Sequence, residues 1–181
     1  MIRISLDLEM NEGDNKSIIQ IGACIFNTET AEILDTFDQI IIQDEEITSY
    51  ITNLTKITQE KVNNGKSLNE SYWDLVSFSN RLECQKFPIV TWGSGDLQLL
   101  KKQLNLSESE WKLGRNELNV KSIYQAYCDA NGLSLQGGLK RSSHNIGLKF
   151  SGPAHNALQD SIGAAKMYCK LLDLLRFPKQ T

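Results

Sequence analysis

Histidine is scarce in this chain of 181 residues: there are two, beside four cysteines and three prolines. Zinc sites built from Cys and His need closely spaced ligands. Cys24, Cys84, Cys128 and Cys169 form no C-x-x-C pair and none has a His near it, which argues against such a site. Each sits among apolar neighbours and reads as a buried thiol in a reducing compartment. A run of about 18 apolar residues is also missing, so no membrane-spanning helix is expected. No repeat, low-complexity tract or Pro/Gly/Ser-rich linker divides the chain. One domain is expected over residues 1–177, with 178–181 as a frayed tail. The opening MIRISLDLEM enters a strand pattern at once and lacks a signal-peptide core. A cytoplasmic chain follows as the expectation, and the sequons at Asn53, Asn69 and Asn105 then read as chance matches.

What is present is an ordinary globular composition, 40% hydrophobic and 23% charged, with a net charge of −3. That small figure conceals a split. Residues 1–100 carry 7 Lys and Arg against 16 Asp and Glu, and residues 101–181 carry 12 against 6. One half is suited to holding cations and the other to facing phosphates.

Residues 2–9 alternate, with Ile2, Ile4, Leu6 and Leu8 on one face and Arg3, Ser5, Asp7 and Glu9 on the other. Ser17–Phe26 and Ile33–Gln43 read as two further strands, joined by short polar turns that suggest antiparallel hairpins. Residues 48–65 read as one helical segment that stops at Asn-Asn-Gly. Residues 67–85 form the next helix, opened by a capping box of Ser67 and Glu70. A short buried strand over 86–93 runs into a helix over 94–106. Residues 117–132 join a short strand to a helix, and 137–147 form a short helix bounded by glycines. The last helix is expected from Pro153 to about Phe177, with Leu158, Ile162, Ala165, Cys169 and Leu172 as its apolar stripe. The order predicts a mixed α/β fold with helices covering the sheet.

Asp7 and Glu9 are the anomaly in that pattern. Two apart in a strand, they lie on one face about 7 Å apart and repel each other. A helix-covered strand seldom leaves a face in water, and buried like charges need a compensating cation. Asp96 follows a buried strand in the first turn of a helix, and Asp160 lies within the last helix. Four carboxylates at element ends in an α/β chain can converge on one sheet edge, and an oxygen-only ligand set suits Mg²⁺ or Mn²⁺. His155, five residues before Asp160, is placed to act as a general base at the mouth of such a site. Trp92, Trp111, Tyr72 and Trp73 are candidates for stacking on bases.

The segments LDLEMN…IIQIGACIFN, TWGSGDLQLL and HNALQDSIGAAKMY resemble, in order, the three exonuclease motifs of the DnaQ-like DEDDh 3′–5′ exonucleases. The resemblance covers about residues 4–172. LTKITQEKVNNG is also similar to a linking segment of that family, with Lys56 where Gly is usual. The W-G-x-x-D spacing from Trp92 to Asp96 is most similar to the Eri-1-like exoribonuclease branch. The resemblance implies an RNase H-like fold: a mixed five-stranded sheet, its first three strands antiparallel, flanked by helices. It implies that Asp7, Glu9, Asp96 and Asp160 hold two Mg²⁺ or Mn²⁺ ions and that His155 deprotonates the attacking water. Met10 and Asn11 would seat the terminal nucleotide. They stand where small or hydroxyl residues are common, and Gln159 replaces a frequent acidic residue.

The segment GGLKRSSHNIGLK carries three cations and no anion directly before His155, so Lys140 and Arg141 are expected along the phosphate path. The implied activity is removal of nucleoside 5′-monophosphates from the 3′ end of single-stranded nucleic acid, RNA favoured over DNA. An exonuclease for DNA ends and a silent nucleic-acid-binding module are the alternatives. The shared catalytic set does not separate RNA from DNA, whereas loss of a carboxylate would have marked the silent module.

Overall fold

The structure is a computed structural model in which residues 1–13, 16–114, 116–134, 137–150, 152 and 155–175 are described. Apolar pattern drives three strands: alternation in β1 (Ile2–Met10) and β3 (Ile33–Ile40), and a continuous apolar run, buried on both faces, in β2 (Ile18–Asn27). They pair antiparallel, as the short polar turns predict. Two short strands, β4 (Ile89–Thr91) and β5 (Glu117–Asn119), join parallel to β1 on its other side. The order β3-β2-β1-β4-β5 puts β1 at the centre.

Helices cover both faces. Ile4, Leu6 and Leu8 of β1 belong to one core with α3 (Leu68–Asn80) and α4 (Asp96–Leu104). The opposite core gathers α5 (Val120–Ala130), α6 (Leu139–Asn145) and α7 (Ala157–Leu175). The capping box at Ser67 and Glu70 opens α3 with both of its hydrogen bonds. All four cysteines are buried and free. Among the described residues, no helix is long and apolar enough to cross a membrane.

Four expectations need correction. The segment 48–65 is two helices, α1 (Ser49–Thr55) and α2 (Gln59–Asn63). Lys56 ends α1 with a φ of 63°, in the left-handed region, so the chain turns there. The third strand stops at Ile40, short of Gln43. The last helix begins at Ala157, and Pro153 and residues 176–181, including the expected tail, lie outside the described residues. Of the five residues in the expected stripe of α7, two are buried. Ala165 and Cys169 are buried, but Leu158, Ile162 and Leu172 are only partly so. Small residues, Ala157, Ser161, Gly163 and Ala164, make the buried face in the N-terminal half, where the helix start lies close on the sheet, and Met167, Tyr168 and Leu171 add to it further on.

Candidate active site

Asp7 and Glu9 point from the central strand toward the α7 face. Arg3, on the same face, does not neutralise them: its guanidinium lies over the rings of Phe87 and Tyr168, at 4.9 and 5.8 Å from their centroids. The β1–β2 register shifts between Glu9 and Met10, an irregularity that marks the end of regular pairing at this edge.

Asp96 is the first residue of α4, delivered by the short loop after β4. Asp160 lies in the first turn of α7. Gly22 explains how α7 reaches the site. It pairs directly with Asp7 across the β1–β2 ladder. A Cβ there would lie 2.0 Å from the Leu158 amide nitrogen and 2.1 Å from the Ala157 carbonyl carbon. Only glycine lets the start of the helix lie on the strand at that point. His155, with a φ of 60°, donates its backbone N–H to Asp160 Oδ2 at 3.1 Å. Ligand atoms of Glu9, His155 and Asp160 lie within 4.8 Å of one another.

Asp7 and Glu9 are coupled electrostatically to Asp96 and Asp160. Burial, then Asp96, Asp160 and Glu9 in that order, push the Asp7 carboxyl well above the usual carboxylate range. Burial, then Asp160 and Asp96, push Glu9 up to about 7. Burial and Glu117 push Asp96 up to about 6. Burial raises Asp160, opposed by the hydrogen bond from His155. Among the described residues no Lys or Arg is a cause of these shifts, and His155 acts on Asp160 alone; carboxylates raised in this way form a donor set that fits divalent cations.

The exonuclease family RNase_T matches residues 4–168. The chain belongs to the RNase_T exonuclease family. It is 24% identical over 162 residues to the rat (Rattus norvegicus) 3′-5′ exoribonuclease 1, covering 86% of its own length. It spans 46% of that relative. The nuclease domain of 3′hExo, a DEDDh family member bound to rAMP, shares the fold. Its TM-score is 0.80 at 21% identity, over 99% of this chain and 97% of that one. The Mg²⁺- and Mn²⁺-bound form of S. pombe Pop2p aligns with a TM-score of 0.64 at 15% identity, over 96% and 83% of the two chains. This RNase_T domain is thus a DnaQ-like exonuclease domain related to the Eri-1 branch.

A cavity of about 480 Å³ in this exonuclease domain has Asp160 as its one candidate carboxylate, and is lined also by Lys140, Arg141, His144 and His155. The two cations expected from α6 therefore share a cavity with His155 and Asp160. Met10 is partly buried. Asn11 is 3% exposed, and its side-chain amide donates to the Glu46 carbonyl at 3.2 Å while Oδ1 has no partner. Of the stacking candidates, Tyr72 is wholly buried and packs between Trp73 and Trp111, so it is core. Trp92 and Trp111 are partly buried against the cores, and Trp73 is 44% exposed.

Sequence reasoning missed two supporting side chains. Glu117 of β5 accepts from the amides of Gly95 and Leu97, at 2.7 and 2.6 Å, and so caps the helix that starts with Asp96. Gln20 of β2 accepts from the Ala157 amide at 3.0 Å. Neither has a local signature, since each acts on a helix remote in sequence.

Proposed function

We propose that this domain is a metal-dependent 3′–5′ exonuclease of DEDDh type, acting on single-stranded nucleic acid with RNA favoured and releasing nucleoside 5′-monophosphates. The observation that carries the reading is geometric: ligand atoms of Glu9, His155 and Asp160 lie within 4.8 Å of one another, and the Asp7 carboxyl is raised by burial and by its coupling to Asp96, Asp160 and Glu9. Carboxylates from three separated segments are coupled there, and among the described residues no Lys or Arg is a cause of their shifts. Asp7, Glu9, Asp96 and Asp160 would hold two Mg²⁺ or Mn²⁺ ions. Such a pair activates a water and stabilises the charge that develops on a scissile phosphate.

The remaining work falls to the chain itself. His155 is exposed at the cavity and is the group that takes the proton of the attacking water. Its backbone bond to Asp160 holds it beside the carboxylates. Lys140 and Arg141 attract the phosphates of the strand entering the cavity. Met10 and Asn11, directly after Glu9, are the proposed contacts to the terminal sugar, where a 2′-hydroxyl distinguishes RNA from DNA. The rAMP held by the similar 3′hExo domain supports a ribonucleotide as the unit bound.

The test is digestion of 3′- and 5′-labelled RNA and DNA oligonucleotides, single- and double-stranded, with and without Mn²⁺. Stepwise shortening from the 3′ end, dependent on Mn²⁺ and faster on single-stranded RNA, is expected. Equal or faster trimming of DNA would remove the RNA assignment and leave the exonuclease. Absence of 3′ trimming from every substrate would overturn the reading.

A further inference from the structure

Gln20 is 2% exposed and pairs with Glu9 across the β1–β2 ladder. Its side-chain amide is engaged at both ends. Oε1 accepts from the Ala157 amide at 3.0 Å, and Nε2 donates to Asp38 Oδ1 at 2.7 Å. Both partners fix the orientation of the Gln20 amide, because a backbone N–H only donates and an ionised carboxylate only accepts. Ala157 is the first residue of α7, two after His155 and three before Asp160. Within α7's first turn, Asn156 Oδ1 already accepts from the Gln159 amide. The buried Ala157 amide is served from the sheet instead, and leaving it unmade would be costly. Gly22, two residues along the same face of β2, meanwhile lets the helix start sit on the strand.

We propose that Gln20, held by Asp38, is a positioning residue. It pins the first amide of α7 to the strand beside β1 and so sets the separation of Asp160 and His155 from Glu9. The proposal rests on the exonuclease reading for its kinetic readout and on cation binding for the other. Side chains that orient metal-binding groups typically change metal affinity or activity by about 10–100-fold when removed. A cap serving only the fold lowers the melting temperature and leaves cation affinity and kcat alone.

Three variants separate these roles. Gln20→Leu removes both bonds at similar size. Gln20→Glu keeps an acceptor for Ala157 but sets two carboxylates against each other at Asp38. Gln20→Glu/Asp38→Asn restores a donor–acceptor pair with reversed polarity and keeps the wild-type net charge. Each is titrated calorimetrically with Mn²⁺ alone, melted without metal, and assayed for kcat and KM on a single-stranded RNA oligonucleotide. Gln20→Leu and Gln20→Glu are expected to lose about 10–100-fold in Mn²⁺ affinity and in kcat with KM little changed, and the double variant to recover most of both. Wild-type Mn²⁺ affinity and kcat in Gln20→Leu, or a double variant no better than Gln20→Glu, would overturn the proposal. Should Gln20→Leu not fold, the other two variants decide it. If Mn²⁺ affinity follows the expected pattern while even the wild type trims nothing, the positioning role stands and the exonuclease reading falls.

Discussion

Three other carboxylates act on the partly buried carboxyl of Asp7, and the metal-free domain carries the cost of that crowding. Ordinary carboxyls titrate near about 4, whereas here Glu9 is pushed up to about 7 and Asp96 to about 6. The folded state thus binds more protons than the unfolded one between these values. The stability this confers is complete below the unfolded pKa and is lost as pH rises through the folded one. The melting temperature of the metal-free protein should therefore fall as pH rises from about 4 to about 7, and the increase on adding Mn²⁺ should be larger at the upper end. Differential scanning calorimetry across that range with and without Mn²⁺ checks both, and a flat metal-free profile would contradict the coupling. At Gly22 the expectation is steric. Gly22→Ala pushes the start of α7 off the sheet, costing about 1–3 kcal/mol of stability and displacing Asp160 and His155. Denaturant unfolding and the trimming rate should both fall.

Among the helices and strands, legibility followed the range of the forces involved. The three antiparallel strands declare themselves by alternation or, in β2, by a continuous apolar run, and the capping box by its spacing, since these signals are local. The break at Lys56 is hidden, because a lysine gives no sign that its backbone will turn left-handed. The unusual Lys in the linking segment was the only hint. The buried face of α7 was misread because Gly22 and small helix residues, not large apolar ones, make its closest contact. Asp7 and Glu9 stand out as misplaced charges in a strand, whereas Asp96, His155 and Asp160 are legible as candidates only through the ordered motifs they belong to. Gln20 and Glu117 give no such sign, since their partners lie 137 and about 20 residues away. A left-handed non-glycine residue costs about 1–2 kcal/mol, so Lys56→Gly should stabilise the domain by up to about 1 kcal/mol once the added freedom of the unfolded chain is deducted. A urea midpoint that rises for Lys56→Gly and not for Lys56→Ala would locate the effect in the backbone.

Across the whole molecule, the basic half brings both signs of charge to one cavity: Asp160 and His155 on one side, Lys140 and Arg141 of α6 on the other. The carboxylates serve cations and the cationic pair serves the strand, so the two functions separate by mutation. Lys140→Ala/Arg141→Ala should weaken oligonucleotide binding, flatten its salt dependence and leave Mn²⁺ affinity near wild type, as fluorescence anisotropy at several salt concentrations can show. The carboxylate cluster is the more decisive half. Asp7→Asn keeps the shape of the side chain and removes its charge. The measurement is Mn²⁺-dependent trimming of a 3′-labelled RNA oligonucleotide by Asp7→Asn beside wild type, with the metal-free melting temperature recorded at pH 8. The account predicts trimming at background level in a protein that melts no lower than wild type, because one repelling charge is gone. Trimming by Asp7→Asn at the wild-type rate would contradict it.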